Sequence, residues 1–167
     1  MEIRKTERSD LDVVMGIYDQ ARQYMRQNGN LNQWIDGYPS KEVITEDIKN
    51  GYSYVCIDEG KVVAVFSFIL GTDPTYIKIY DGEWLNGEPY GVIHRIASIS
   101  HQKGVASYCM DWCYRKCRNL KIDTHEDNRI MQNLLIKNGF TRCGIIYLLS
   151  GAPRVAFQKT EIVSEIT

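Results

Sequence analysis

The residues best suited to bind a charged ligand lie between an apolar run and a helical pattern near position 100. The run VIHRIASI is followed by SHQKGVAS, residues 100 to 107, and then by residues with helical periodicity. Backbone N–H groups in the first turn of a helix have no partner within the helix, and the helix dipole adds partial positive charge there. A strand, a tight turn and a helix in this order are typical of a site for phosphate or pyrophosphate.

The residue types in this turn fit that chemistry. Gly104, Ala106 and Ser107 are small, so an anion could reach the backbone, and His101 and Lys103 add positive charge. The turn matches neither the Walker A loop nor the dinucleotide loop G-x-G-x-x-G. The alternative is an ordinary connection between a strand and a helix that needs no ligand.

The strands and helices that must position this turn follow one another in the order βααβββ, then βαβα, then ββ. The strand–helix–strand unit from Tyr90 to His125 favours a parallel pair of strands with a right-handed crossover, whereas the other strands favour antiparallel pairing. The sequence therefore predicts an α+β fold with a mixed, mostly antiparallel central sheet and helices on both faces. Helices are predicted over 9–29, 40–51, 104–117 and 127–140, and strands over 3–6, 52–59, 61–70, 75–85, 90–100, 119–125, 141–149 and 154–159.

The composition indicates an ordinary globular protein. The 167 residues predict one domain spanning 1–167, large enough to bury a core without disulfides or a metal. A net charge of -1 argues against general binding to nucleic acid or membranes. The charged start MEIRKTERSD does not resemble a signal peptide, and the apolar run VVAVFSFIL is too short for a membrane span, which needs ~20 residues. We therefore expect a cytoplasmic protein.

The cysteines offer no clear metal site. Cys109, Cys113 and Cys117 recur every four residues and so share one helix face. A thiolate zinc site would need a fourth ligand, and no Cys or His lies at a suitable spacing in that segment. We expect small buried side chains here and no bound metal.

Two sequence blocks and the order of elements together resemble the GCN5-related N-acetyltransferase (GNAT) superfamily over nearly the whole chain. The first block, HQKGVA from His101 to Ala106, is similar to the family pattern of Gln or Arg, two residues, Gly, one residue, and Gly or Ala. The second block has Asn128 after the fifth strand and ends its helix with Lys137-Asn138-Gly139-Phe140.

This resemblance implies splayed fourth and fifth strands, acetyl-CoA as co-substrate, an amine acceptor and a possible homodimer. The pantetheine arm would pair with the backbone of Ile96, Ala97 and Ser98 like an added strand. Asn128 would bond the pantetheine amide region, and Lys137 would reach a CoA phosphate. The pyrophosphate would lie on a turn that follows His101 and consists of Gln102, Lys103, Gly104, Val105, Ala106 and Ser107.

The chain departs from the family pattern at two positions. His101 stands where the family has Gln or Arg. Leu135 stands where the family often has a tyrosine that protonates the departing CoA thiolate, so another acid, such as Tyr147, or water would have to serve. Leu135 also supports an alternative, a non-catalytic acyl-CoA sensor on the same fold. A further alternative is an α+β module that binds a different phosphate ligand.

His94 is the strongest candidate for the general base. An amine that is protonated at neutral pH must lose a proton before it attacks, and imidazole titrates near neutral pH. His94 lies on the fourth strand, two residues before Ile96, a placement similar to a histidine of arylalkylamine acetyltransferases. Its alternative role is structural. His125 and Glu126 are second choices, and they could instead cap the following helix.

Three aromatic residues are candidates for the acceptor pocket. Trp34 and Tyr38 lie in the loop between the first two helices, which often covers the substrate in the family that this chain resembles, and Tyr90 begins the fourth strand. Aromatic walls suit an aliphatic or aromatic amine through apolar contact or cation–π attraction. Alternatively, Trp34 only fills space beneath its loop.

Overall fold

Seven strands form one mixed sheet, in the order β1-β2-β3-β4-β5-β7-β6, in a computed structural model that describes residues 1–99 and 102–162. Neighbouring strands are antiparallel except β4 and β5, which are parallel. The predicted mixed, mostly antiparallel sheet is therefore confirmed. The strands are β1 (Glu2–Lys5), β2 (Ser53–Asp58), β3 (Lys61–Leu70), β4 (Gly91–Ser98), β5 (Asn119–Thr124), β6 (Thr141–Tyr147) and β7 (Pro153–Thr160).

The α-helices are α1 (Leu11–Gln27), α2 (Lys41–Lys49), α3 (Val105–Cys117) and α4 (Arg129–Lys137). Side chains cap two of them. The Ser40 hydroxyl accepts from Val43 N at 3.2 Å at the start of α2, and the Asn128 amide oxygen accepts from Met131 N at 3.1 Å at the start of α4. These caps satisfy backbone donors that the helices leave unpaired.

Helices cover both faces of the sheet, as predicted. Buried side chains of α3 and α4, including Met110 and Leu135, pack with Phe66 and Phe157 on one face. On the other face, α1 and α2 pack Ile17, Ile44 and their neighbours against β2, β3 and the end of β4. Each amphipathic helix thus buries its apolar side against the sheet.

The predicted strand over 75–85 is wrong. Pro74–Tyr76 forms a short 3-10 helix, and Tyr80 makes an isolated bridge to Ile145. Since β3 pairs directly with β4, the segment between them has no place inside the sheet. Its apolar side chains instead cover the sheet in a third cluster, in which Tyr76 is 1% exposed and packs 5.4 Å from the ring of Trp84.

The parallel strands β4 and β5 separate soon after they meet. They pair only at Gly91 with Leu120 and at Val92 with Lys121. Further along β4, the pairing with β3 shifts in register, and Arg95 has a φ of 51°, which marks a bulge. The predicted splay of the fourth and fifth strands is confirmed.

No helix within the described ranges is long and apolar enough to cross a membrane.

Candidate functional site

A cavity of about 250 Å³ lies where the end of β4, the first turn of α3, the start of α4 and one side of α1 meet. From α1 and the loop after it, Tyr24, Met25 and Asn30 contribute to the wall. The structure brings most of the predicted cofactor residues together here. The lining includes Ile96, Ala97, Ser98, Gln102, Gly104, Val105, Ala106, Ser107 and Asn128.

One wall of the cavity offers free backbone groups from two sources. From Ile93 onward, the β5-facing edge of β4 has no strand partner in the described part of the chain. At the start of α3, the first intrahelical bond runs from Tyr108 N to Gly104 O at 3.0 Å, so the N–H groups of the first turn are unpaired within the helix. An extended ligand with an anionic group at one end fits this wall.

Gly104 makes close approach to the first turn of α3 possible. Its φ is 83°, a left-handed conformation that favours glycine. Apart from its chain neighbours, a Cβ added there would meet no atom of residues 1–99 and 102–162 within 4 Å, so none of these residues blocks the approach of a ligand.

The predicted cationic residues lie less centrally. Lys103 and Lys137 are exposed and are not part of the cavity lining. His101 lies outside the described residues. The helix terminus therefore contributes positive character, Arg129 lines the cavity, and the two lysines lie at its periphery.

Asn128 connects the cavity to the loop between α1 and α2. Its Nδ2 donates to Gln33 Oε1 at 3.0 Å, while its Oδ1 caps α4. Gln33 Oε1 also accepts from Asn30 Nδ2 at 2.9 Å, and both residues are buried. Sequence reasoning missed Gln33 and Asn30 because 95 positions separate Gln33 from Asn128.

His94 is held by a carboxylate that sequence reasoning also missed. His94 Nε2 lies 2.9 Å from Asp73 Oδ2. Thr75 donates to Asp73 Oδ1 from its backbone N at 2.9 Å and from its hydroxyl at 2.7 Å, and Asp73 N donates to the Tyr90 hydroxyl at 2.9 Å. Burial raises the pKa of Asp73, but the hydrogen bonds from His94 and Thr75 outweigh it and lower the value to about 2. Asp73 is therefore ionised and fixes the imidazole ring.

A second carboxyl group, Asp123 of β5, belongs to the same cluster. The Tyr76 hydroxyl donates to Asp123 Oδ2 at 2.6 Å, and the Tyr76 ring lies 6.3 Å from that of His94. Burial raises the pKa of Asp123, while the Tyr76 bond and the charges of His94 and Arg154 act in the opposite direction. An acidic residue within the predicted strand NLKIDT was the available signal.

None of the three catalytic candidates, His94, His125 and Tyr147, is part of the cavity lining. His125 Nδ1 accepts from Asp127 N at 3.0 Å, so this ring is engaged in the turn that precedes α4. Tyr147 is 45% exposed at the end of β6, and its ring stands edge-on to that of Tyr80 at 5.2 Å.

The aromatic residues of the loop between α1 and α2 lie over the bulge in β4. Trp34 packs edge-on against Tyr18 at 5.6 Å. The Tyr38 hydroxyl accepts from Arg95 Nη1 at 3.0 Å, and Arg95 also binds both carboxylate oxygens of Asp47 at 2.9 Å. These contacts tie the loop and α2 to the bulge.

Leu135 does not face the cavity. It is fully buried in the core beneath α4, whereas Leu134 and Met131 contribute to the cavity wall. The position at which the family often has a tyrosine is therefore a packing position in this chain.

The cysteines pack as small side chains. Cys109 and Cys113 are fully buried in the core, and Cys117 is partly buried. Within residues 1–99 and 102–162, no group of three His, Cys, Asp or Glu side chains could hold a metal ion.

Known acetyltransferases share the fold of this chain. A GNAT-family acetyltransferase from Streptococcus agalactiae is 33% identical, with 99% of this chain and 96% of that chain covered and a TM-score of 0.88. A putative acetyltransferase from Staphylococcus aureus is 25% identical, with 96% and 99% covered and a TM-score of 0.69. The NatC complex bound to Gag peptide and CoA includes a chain with 15% identity, 97% and 100% covered and a TM-score of 0.60, which shows the fold alone. No protein-family model and no curated protein matches the chain.

Proposed function

Because the chain belongs to the GNAT family of acetyltransferases, we propose that it moves the acetyl group of acetyl-CoA to a primary amine of a small molecule or peptide. The attack is direct, within a ternary complex. The observation that carries the proposal is the single cavity in which the open edge of β4 meets the first turn of α3. An ordinary connection between a strand and a helix would not need both features in one cavity.

The cavity would bind acetyl-CoA through backbone groups. The pantetheine arm lies along Ile96, Ala97 and Ser98 as an added strand, because that edge of β4 has no protein partner in the described residues. The pyrophosphate lies on the N–H groups from Gly104 to Ser107, where the helix dipole favours an anion. Asn128 is placed beside both, at the start of α4.

His94 is the proposed general base. It takes a proton from the ammonium group of the acceptor, and the freed amine nitrogen then attacks the thioester carbonyl carbon. The C–N bond forms, the C–S bond breaks and the electron pair leaves with the CoA sulfur. The attacking nitrogen loses its second proton to solvent, which leaves a neutral amide, and the CoA thiolate gains a proton from its own donor. The hydrogen bond to Asp73 orients the His94 ring.

The departing thiolate needs a proton donor other than Leu135. We propose Tyr147 or water for this role. Replacement of Tyr147 by Phe distinguishes these donors. If Tyr147 donates the proton, kcat should fall strongly, and if water donates it, kcat should change little.

Thermal unfolding with acetyl-CoA, CoA, ATP and NAD tests the cofactor. A ligand at about 100 times its dissociation constant stabilises the folded state by ~2.7 kcal/mol, which raises the unfolding midpoint of a chain of this length by about 5 to 10 °C. We expect that shift with both CoA forms and little with ATP or NAD. No shift with either CoA form would overturn the proposal.

A panel of primary amines with a free-thiol readout tests the reaction. His94→Gln is expected to lower kcat by about 10²- to 10⁴-fold, with the residual rate rising at high pH as more of the amine is deprotonated. CoA binding without thiol release from any amine would favour the sensor instead. An unchanged pH profile in His94→Gln would remove His94 from the base role.

A further inference from the structure

Arg154 differs from the other partly buried arginines in the described ranges. Arg4, Arg22 and Arg95 pair with carboxylates, and Arg26 donates to two backbone carbonyls. Within the part of the chain that the structure describes, Arg154 has one hydrogen bond, from Nη1 to the backbone oxygen of the preceding residue at 2.8 Å, and no carboxylate at ion-pair distance. A partly buried guanidinium without an anionic partner has a desolvation cost that a bound anion would offset.

The strand register places Arg154 beside the His94 cluster. Asp123 pairs with Ala156 of β7, and Arg154 is two residues before Ala156, so all three lie on one face of the sheet. This part of β7 runs beside the carboxyl end of β5, at the edge of the sheet toward which β4 and β5 separate. An acceptor entering between the separated strands would therefore pass Arg154.

Electrostatic interactions also place Arg154 near the His94 cluster. The charges of both Arg154 and His94 act on Asp123, so the three groups lie within electrostatic range of one another. Asp123 already accepts a hydrogen bond from the Tyr76 hydroxyl, and Asp73 is occupied by His94 and Thr75. Burial lowers the pKa of the Arg154 guanidinium, and the charge of Asp123 only partly offsets this.

We propose that the acceptor carries a carboxylate close to its amine, as an amino acid does, and that Arg154 binds this carboxylate while the amine lies at His94. This inference rests on the proposed function and names the substrate class of the same site. A guanidinium binds a carboxylate through two parallel hydrogen bonds, so it also fixes the orientation of the acceptor.

Binding is measured first, because it does not depend on turnover. Short aliphatic and aromatic carboxylates and their carboxamides are titrated into CoA-saturated wild-type protein, Arg154→Gln and Arg142→Gln. Arg142 is an exposed arginine of β6 that lines a separate shallow pocket beside α4, so its replacement removes the same charge elsewhere. We expect carboxylates to bind at least about tenfold more tightly than carboxamides to wild type and Arg142→Gln, with this preference lost in Arg154→Gln.

Acetylation provides the second measurement. L-Leucine, L-leucinamide and isopentylamine are compared as acceptors by kcat/KM, together with the matching set from L-phenylalanine. Arg154→Gln is expected to lower kcat/KM for the amino acid by about 10- to 100-fold and to change the amide and the simple amine by less than about threefold. Arg154→Lys keeps the positive charge but cannot form two parallel hydrogen bonds to a carboxylate. Its kcat/KM for the amino acid is therefore expected to lie between the values of wild type and Arg154→Gln.

The outcomes distinguish this inference from the proposed function. Equal binding of carboxylates and carboxamides to wild type would overturn the role of Arg154, and so would a preference that survives in Arg154→Gln. Acetylation of amines with the same kcat/KM for L-leucine in wild type and Arg154→Gln would overturn the inference and leave the proposed function intact. Failure to bind CoA would instead overturn the proposed function. The unfolding midpoint of each variant without ligand verifies that it folds.

Discussion

Gln33 accepts a hydrogen bond from Asn128 at 3.0 Å, and this contact joins the loop between α1 and α2 to the start of α4. Asn128 can donate only because its oxygen is already committed to Met131 N as the cap of α4. The amide of Gln33 is therefore fixed with its oxygen toward Asn128, and Asn30 donates to the same oxygen. Asn128 thus links the cavity to the loop between α1 and α2.

Replacement of Asn128 separates its two roles. Asn128→Ala loses the cap and the bond to Gln33, and we expect the free energy of unfolding to fall by about 1 to 2 kcal/mol. Asn128→Asp keeps a capping oxygen but loses the donor, so it should be less destabilised and yet bind CoA more weakly than wild type. Chemical denaturation and CoA titration measure the two effects.

Ser40→Ala is the matched control for the cap. Ser40 caps α2 through Val43 N and does not line the cavity. Its replacement should lower the free energy of unfolding by about 1 kcal/mol and leave CoA affinity unchanged. Equal loss of CoA affinity in Ser40→Ala and Asn128→Ala would mean that Asn128 acts only through stability.

Gly104→Ala should weaken CoA binding because the added methyl group fills space that the ligand would occupy. Apart from its chain neighbours, the added Cβ meets no atom of the described residues, but it occupies the approach to the first turn of α3. The left-handed φ of 83° also makes the substitution cost about 1 kcal/mol of stability. Gly60→Ala, at a φ of 76° in the turn between β2 and β3, has the same backbone cost away from the cavity. We expect about tenfold weaker CoA binding in Gly104→Ala alone, and similar affinities in both variants would contradict this.

The Asp73 carboxylate predicts a specific pH dependence of stability. Its pKa in the folded state is about 2, below the value of ~3.9 for an unfolded chain. Its contribution to the free energy of unfolding, about 2 kcal/mol, is complete above the unfolded pKa and is lost as pH falls from about 4 to about 2. The difference in stability between wild type and Asp73→Asn should therefore shrink over that window. A difference that stays constant from pH 6 to pH 2 would show that the carboxylate is not stabilised in this way.

Leu135→Tyr should destabilise the protein without improving catalysis. Leu135 is fully buried, so the larger side chain would overpack the core and lower the free energy of unfolding by about 1 to 3 kcal/mol. We expect kcat to stay at or below the wild-type value, measured by thiol release. A clear rise in kcat would mean that the tyrosine reaches the departing thiolate despite the packing of α4.

Much of the fold follows from local patterns in the sequence. Ser40 and Asn128 start their helices through bonds that span three residues, and Gly139 takes the left-handed conformation that ends α4. Such signals depend on neighbouring residues and can be read without knowledge of the fold. The segment 75–85 was predicted wrongly because its alternating apolar residues suit packing over the end of the sheet as well as they suit a strand.

The candidate site is less visible in the sequence because distant residues build it. The turn around Gly104 is contiguous, so its residue types alone indicated an anion site. Asp73 and His94 are 21 positions apart, and Tyr76 and Asp123 are 47 positions apart. No local pattern relates the members of such pairs, since their contacts depend on how β4, β5 and the segment between β3 and β4 pack together.

The sequence by itself therefore determined the helices, most of the strands, the turn proposed to bind an anion and the resemblance to an acetyltransferase family, because these depend on spacing and residue type over short stretches. Only the tertiary structure decided that Leu135 lies in the core, that Asp73 holds His94 and that Arg154 is left without a carboxylate partner in the described residues. Those outcomes depend on side-chain packing and burial, which strand pairing and helix docking fix across long distances in the chain.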